Sequence, residues 1–167
     1  LFIITINFHI MILLPSNTIF IFIRIIDVIK GYVDSNNNDD KTIDLKQKTV
    51  MPGLIDMHVH LEMQMSPSIY IESFTANEAD IAFNSVKYAE ITLMAGFTTV
   101  RDLGGSGVNV SLRNAINNGK IVGPRIFTAE KSLASTGGHA DPTNGSSRKL
   151  IGDPGPKEGV VNSIEDA

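Results

Sequence analysis

The hydrophobic pattern has a helical period between residues 73 and 95. Apolar side chains recur there every three or four positions, which predicts an amphipathic helix with one face against a core. Thr75 and Asn77 are both suited to cap its first turn, and Gly96 stands where a helix commonly ends. The apolar positions are Ala79, Ala82, Phe83, Val86, Ala89 and Leu93.

Two segments on either side of this helix have the pattern of strands. Residues 54–61 alternate between apolar and polar side chains, so a strand here places Asp56, His58 and His60 on one face. Residues 97–103 are rich in β-branched and apolar side chains and are followed by a glycine pair, which predicts a buried strand.

A second helix and a third strand follow. A shorter helix is predicted before Gly119, and the third strand is predicted over residues 125–133. Residues 141–159 are rich in glycine and proline and are expected to be irregular. The alternation of three strands with two helices implies parallel βαβ units. The apolar positions of the second helix are Val108, Leu112, Ala115 and Ile116.

The start of the chain has a different composition. Residues 1–23 contain no Asp, Glu, Lys or Arg. We interpret them as part of two β-rich runs, residues 2–14 and 19–29, joined by a turn at residues 15–18, because isoleucine and phenylalanine favour strands. Two alternatives stay open: a secretory signal or membrane anchor, and translated sequence that is not native to the fold.

The chain is expected to have two parts. Residues 1–49 hold the N-terminal strands, with an exposed polar loop at residues 34–41 and short strand pieces at residues 42–45 and 48–50. Residues 50–167 hold the alternating strands and helices.

Composition narrows the class of protein. The 167 residues include 14 Lys and Arg against 18 Asp and Glu, which gives a net charge of −4. An acidic chain without a basic stripe is not expected to bind nucleic acid. The apolar fraction of 43% is typical of a folded domain. Because cysteine is absent, disulfide scaffolds, zinc–thiolate sites and thiol nucleophiles are excluded, and any metal site must use histidines and carboxylates.

Two of the four histidines, His58 and His60, form a candidate metal site. Imidazoles at positions i and i+2 of a strand project in the same direction, and neutral imidazole is a good ligand for zinc and its neighbours in the first transition row. The alternative is a pair of hydrogen-bonded histidines without a metal. Burying two unpaired imidazoles on an otherwise apolar strand is costly, which favours the metal.

Three sequence blocks resemble the metal-dependent amidohydrolase superfamily. The block PGLIDMHVH at residues 52–60 resembles the first barrel strand of that superfamily, and GFTTVRD at residues 96–102 resembles its second. The block GPRI at residues 123–126, leading to GGH at residues 137–139, is similar to the branch that contains imidazolonepropionases and Xaa-Pro dipeptidases. The resemblance extends over residues 42–167.

The resemblance implies an α/β fold, the N-terminal part of a (β/α)8 TIM barrel with three βα units, preceded by strands of a small β-sandwich. The implied activity is hydrolysis of C–N bonds in amides, dipeptides or cyclic amides by a metal-activated hydroxide. The implied cofactor is one or two divalent ions, with zinc favoured, and the implied substrate is a small molecule or a dipeptide. His58 and His60 are the implied metal ligands, at the carboxyl end of the first barrel strand.

Other polar residues of these blocks receive secondary roles. The resemblance implies that Asp56 orients a neighbour of the metal site, and a carboxylate bonded to the backbone is the alternative. It implies that His139 binds substrate, and a solvated loop histidine is the alternative. Arg101 and Asp102 are interpreted as a structural ion pair at the end of a strand, with a catalytic Asp102 as the alternative.

The encoded barrel is expected to be incomplete. A (β/α)8 barrel needs about 200–250 residues, and three strands are predicted after residue 50. The remaining ligands and the catalytic base implied by the resemblance have no place in this sequence. We therefore interpret the chain as a fragment that is inactive alone. The alternative functions are a heterocycle deaminase of the same superfamily and a non-catalytic fragment.

The sequence carries few signals for cellular location and oligomeric state. A cytoplasmic location is favoured, while secretion or membrane contact through residues 1–23 stays open. The oligomeric state is not predicted.

Overall fold

The computed structural model describes residues 2–8, 23–30 and 51–167, and the chain divides into two compact units, Leu1–Val50 and Met51–Ala167. In the first unit, strand β1 (Phe2–Phe8) pairs antiparallel with strand β2 (Ile23–Lys30), with Phe2 opposite Lys30. The predicted β-rich runs are therefore confirmed over these residues.

The other predictions for the N-terminal part lie outside the described residues. They concern the turn at residues 15–18, the loop at residues 34–41 and the strand pieces at residues 42–45 and 48–50. The β-sandwich stays a prediction. Within the described ranges, no helix combines the length and the apolar character that are needed to cross a membrane.

The second unit is built on a three-stranded parallel sheet. Its strands are β3 (Leu54–Val59), β4 (Phe97–Asp102) and β5 (Arg125–Thr128), in the spatial order β3-β4-β5. The predicted βαβ alternation is confirmed. The helices are α1 (Ile69–Thr75), α2 (Glu78–Met94), α3 (Val108–Asn117) and α4 (Arg148–Ile151), followed by a 3₁₀ turn at Pro156–Glu158.

The long helix begins later than the sequence pattern indicates. Residues 73–75 belong to the separate helix α1, and α2 starts at Glu78 behind the cap residue Asn77. The backbone N–H of Asn77 donates to the Asp80 carboxylate at 2.9 Å as part of a capping box. Because this exchange satisfies the free groups of a helix start, it fixes the boundary. Gly96 has a φ of +98° just past the helix, as its predicted role requires.

The core lies between the sheet and helices α2 and α3. Burying each large apolar side chain here contributes about 1.5–3 kcal/mol. Its members are Leu61, Ala89, Val100, Leu112 and Ile126.

The prediction that Ala79 and Phe83 face this core is wrong, because Ala79 is exposed and 76% of the surface of Phe83 is exposed. Phe83 lies about 120° around the helix axis from Ala89 at 3.6 residues per turn. The buried face of α2 is instead centred on Ser85, Ala89 and Leu93. The Ser85 hydroxyl enters the core because it donates to the Ile81 carbonyl at 2.7 Å.

All three strands end earlier than predicted, β4 by one residue, at Asp102. Strand β3 stops at Val59, so His60 directly follows the strand. Strand β5 stops at Thr128 because the Thr128 hydroxyl accepts the N–H of Glu130 at 3.0 Å, and Glu130 has a φ of +67°. The predicted irregularity of residues 141–159 is interrupted by α4 and the 3₁₀ turn.

Candidate metal centre at the carboxyl end of the parallel sheet

His58 and His60 lie together at the carboxyl end of β3. Their ring centroids are 5.3 Å apart, and the rings meet edge to face at 70°. Val59, between them, packs against the hydrophobic core, so the alternation of the strand directs both imidazoles to the opposite face of the sheet. Both histidines are exposed on that face, so the expectation that burial of unpaired imidazoles favours a metal is wrong, and the site depends on the geometry of the two rings. The structure thus brings together the two residues that the sequence pattern pairs.

The His60 ring is oriented by a backbone carbonyl. Its Nδ1 lies 2.8 Å from the carbonyl oxygen of Gly104, in the loop after β4. Because a carbonyl oxygen can only accept, this contact assigns a proton to Nδ1, and in the neutral ring the lone pair is then on Nε2. A histidine held in this way is prepared to bind a metal through Nε2.

Asp102, at the end of β4, is fully buried and lies at the centre of a network of backbone bonds. Its Oδ2 accepts the N–H of Leu61 at 3.0 Å, and its Oδ1 accepts the N–H of Gly104 at 3.1 Å. Oδ1 also accepts from the Asn109 side-chain amide at 3.2 Å. The interpretation as an ion pair with Arg101 is wrong, because Arg101 is exposed and its Nε donates to the Met57 carbonyl at 3.2 Å.

Glu62 and Asn109 attach the start of helix α3 to the segment after β3. The Glu62 carboxylate accepts the N–H groups of Ser106 at 2.6 Å and of Asn109 at 2.7 Å. A carboxylate at a helix N-terminus is stabilised by the helix dipole and satisfies N–H groups that lack a helical partner. The Asn109 amide also donates to the Glu130 carbonyl at 3.0 Å, which links this loop to the one after β5.

Asp56 contacts the backbone of the site and not an imidazole. Its Oδ1 accepts the N–H of His58 at 3.0 Å, which lies two residues further along the chain. This bond fixes the backbone that carries His58. The role of Asp56 beside a bound metal stays a prediction.

His139 lies in the loop after β5 and is exposed. Asp141, which is only 5% exposed, shapes this loop by accepting the N–H of Gly137 at 2.7 Å and the N–H and hydroxyl of Thr143 at 2.8 and 2.7 Å. These bonds, led by the one from Gly137, hold the pKa of Asp141 below its ordinary value of 3.8. Within residues 51–167, no hydrogen bond links His139 to His58 or His60, so the substrate role of His139 stays a prediction.

The lowered pKa of Asp141 predicts how the stability of the protein depends on pH. The stabilisation by its carboxylate is complete above pH 3.8 and is lost as the pH falls through the lower pKa of the folded state. The melting temperature of Asp141→Asn is therefore expected to lie furthest below that of the wild type at neutral pH. The difference should shrink at the lowest pH at which both proteins stay folded. A difference that stays constant over this range would contradict the assignment.

The donors present fit part of a metal site. Two imidazoles on one face, one with its Nε2 lone pair fixed, correspond to two positions of a tetrahedral zinc site. Among the described residues, no group of three or more His, Cys, Asp or Glu side chains is arranged to hold a metal ion. The described part of the chain therefore offers a two-histidine platform.

Sequence reasoning missed the residues that support this platform. Glu62 was not singled out, because its partners are backbone N–H groups that have no sequence pattern. Asn109 was not singled out either, because its amide donates to Asp102 and to the Glu130 carbonyl, which lie in other elements. A signal for Glu62 exists in its position two residues after His60, at the point where a strand of this kind ends. Asp102 had a signal too, since it follows a buried strand and precedes a glycine pair.

Comparisons with known proteins place the second unit among related chains. Residues 49–165 match the profile of the amidohydrolase family. An ochratoxinase from Aspergillus niger is 31% identical over 119 residues, which are 69% of this chain and 23% of that protein. An imidazolonepropionase from Vibrio campbellii is 41% identical over 64 residues, which are 37% of this chain and 14% of that protein.

The structural comparison agrees. A crystal structure of a Xaa-Pro dipeptidase with methionine bound in its active site superposes with a TM-score of 0.73 at 44% sequence identity. The match covers 85% of this chain and 35% of the dipeptidase. The chain thus spans about a quarter to a third of the length of these two larger proteins, the ochratoxinase and the dipeptidase.

Proposed function

Because the chain belongs to the amidohydrolase family, we propose that it contributes His58 and His60 to the metal centre of a hydrolase that cleaves C–N bonds in small amides or dipeptides. The observation that carries this proposal is the paired imidazoles, with the Nδ1 of His60 bonded to the Gly104 carbonyl. The family is generally metal-dependent. The resemblance of this chain to a Xaa-Pro dipeptidase and to an ochratoxinase supports amides as the substrate class.

The proposed metal is zinc, since imidazole nitrogen is among its preferred ligands. When bound, such an ion supplies a nucleophile from water at neutral pH and polarises the carbonyl group that is attacked. The protein's own contribution is orientation. The Gly104 carbonyl holds the proton of His60 on Nδ1, and the Asp56 carboxylate fixes the backbone N–H of His58. Both imidazoles are thus held on rigid backbone.

His139 is proposed to bind the polar end of the substrate. It lies in the loop after β5, and parallel strands end at the same edge of a sheet, so this loop starts at the edge that carries His58 and His60. An imidazole N–H is suited to donate to a carboxylate, which every dipeptide carries at its C-terminus.

The experiment measures the hydrolysis of a panel of dipeptides and N-acyl amino acids. The enzyme is the full product of the gene that encodes these residues. Activity that disappears with chelator and returns with zinc is the expected result. Turnover that is insensitive to chelator would contradict the metal, and release of ammonia from a heterocyclic amidine alone would assign the protein as a deaminase. That the 167 residues alone are inactive stays a prediction, and the same panel tests it.

Replacing His139 by alanine in that active protein is expected to lower kcat/KM, because one hydrogen bond to a charged group is lost. The decrease should correspond to a loss of about 1–3 kcal/mol in transition-state stabilisation. The metal content should stay at the wild-type level. Kinetics and metal analysis on the same preparation check this. Loss of metal would identify His139 as a ligand, and unchanged kinetics would exclude it from substrate binding.

A further inference from the structure

We propose that Asp102 is a positioning residue for His60: it holds the Gly104 carbonyl against Nδ1 of that imidazole and so fixes Nε2 as the atom presented to a cation. The part of this inference that concerns a cation rests on the proposed function. The part that concerns the ring of His60 does not.

One carboxylate fixes both sides of the bond between His60 and Gly104. Its Oδ2 accepts the N–H of Leu61, the residue directly after His60, at 3.0 Å. Its Oδ1 accepts the N–H of Gly104, whose carbonyl receives the Nδ1 proton, at 3.1 Å. The two backbone segments that must meet are therefore tied to a single buried side chain.

The surroundings of Asp102 require a side chain that accepts hydrogen bonds and donates none. The third partner, the Asn109 amide, also donates, at 3.2 Å. An asparagine at position 102 would place an NH₂ group against at least one of these three donors and leave a buried N–H unpaired, which is costly. A neutral isostere therefore disturbs the network without changing its volume.

The rest of the loop is held independently of His60. The Ser132 hydroxyl donates to the Leu103 carbonyl at 2.9 Å, and the N–H of Gly105 donates to the Glu130 carbonyl at 2.7 Å. Because these bonds support the loop from the other side, the second unit should stay folded when the Asp102 carboxylate is lost. The expected effect is a displacement of the Gly104 carbonyl. The consequence falls on the His60 ring, which loses its fixed tautomer.

The test compares Asp102→Asn with Asp141→Asn in the full chain. Asp141 is a matched control, because it is also buried and also accepts three hydrogen bonds, but it lies in the loop of His139. The first measurement is the tautomer of His60, read from long-range ¹H–¹⁵N correlations of the metal-free chain at about pH 8.5, where free imidazole is neutral. A His60→Ala spectrum assigns the signals.

The second measurement is the affinity for Zn²⁺ alone, by titration. The expected result is a His60 ring protonated on Nδ1 in the wild type and in Asp141→Asn, and a mixture of tautomers in Asp102→Asn. Zinc affinity is expected to fall about 10- to 100-fold in Asp102→Asn only. An unchanged tautomer in a folded Asp102→Asn protein, or equal effects of the two variants, would overturn the inference.

Two further outcomes are decided by the same readouts. If Asp102→Asn does not fold, Asn109→Ala takes its place; this variant keeps the carboxylate but removes the side-chain donor that holds its Oδ1, the atom that also accepts from Gly104. A smaller change of the His60 tautomer in the same direction would support the inference, and none would overturn it. If the wild type binds no zinc, the metal proposal fails, whereas the tautomer comparison still decides the role of Asp102.

Discussion

Replacing His58 and His60 together by alanine is expected to abolish zinc binding by the chain. The two imidazoles are the ligands that the described face of the sheet offers, and their ring centroids are 5.3 Å apart. Neither side chain belongs to the hydrophobic core, so the fold should persist without them. The measurement is zinc stoichiometry by equilibrium dialysis and metal analysis, with the circular dichroism spectrum recorded on the same sample.

His139→Ala is the matched control for this experiment. It also removes one exposed imidazole, but from the loop after β5, and it should leave zinc binding at the wild-type level. Wild-type zinc stoichiometry in the double variant would show that the ion binds elsewhere. Equal losses in the double variant and in His139→Ala would place all three histidines around one ion, and the proposed substrate role of His139 would then be wrong.

Replacing Gly104 by alanine is expected to destabilise the chain and to weaken zinc binding at the same time. Gly104 has a φ of +155°, and a Cβ there would lie 2.6 Å from the backbone nitrogen of Ser132. Such an overlap with backbone forces the loop to move and costs about 1–3 kcal/mol. Because the Gly104 carbonyl orients His60, the same movement should release the imidazole. Urea denaturation and zinc titration measure the two effects.

Gly119→Ala separates the overlap from ordinary backbone strain. Gly119 also has a positive φ, +66°, but a Cβ there would meet nothing within 4 Å. An alanine in this left-handed conformation costs about 1–2 kcal/mol without moving the loop of Gly104. Gly119→Ala should therefore lower the free energy of unfolding and keep wild-type zinc affinity. Equal zinc affinities in the two variants would exclude the Gly104 carbonyl as the orienting group.

The parallel arrangement of the second unit could be predicted from the sequence because it depends on local pattern. The alternation at residues 54–61, the helical period that ends at Gly96 and the strand before the glycine pair each have a signal within one element. Boundaries were less accurate. The capping box of Asn77 and Asp80 and the turn made by Thr128 decide where elements start and stop. These depend on side-chain bonds that compete with the periodic pattern.

The pairing of His58 and His60 also follows from the sequence, since side chains two positions apart on a strand point to the same face of the sheet. The sequence by itself determined the family, the order of the three parallel strands and the two helices between them, and the two imidazoles. Only the tertiary structure decided how those imidazoles are held. Asp102 and Gly104 reach the segment of His60 from more than 40 residues away, and Glu62 binds the start of α3 at a similar separation. Backbone N–H and carbonyl groups are the same at every position, so such partners become visible when folding brings them within hydrogen-bond distance.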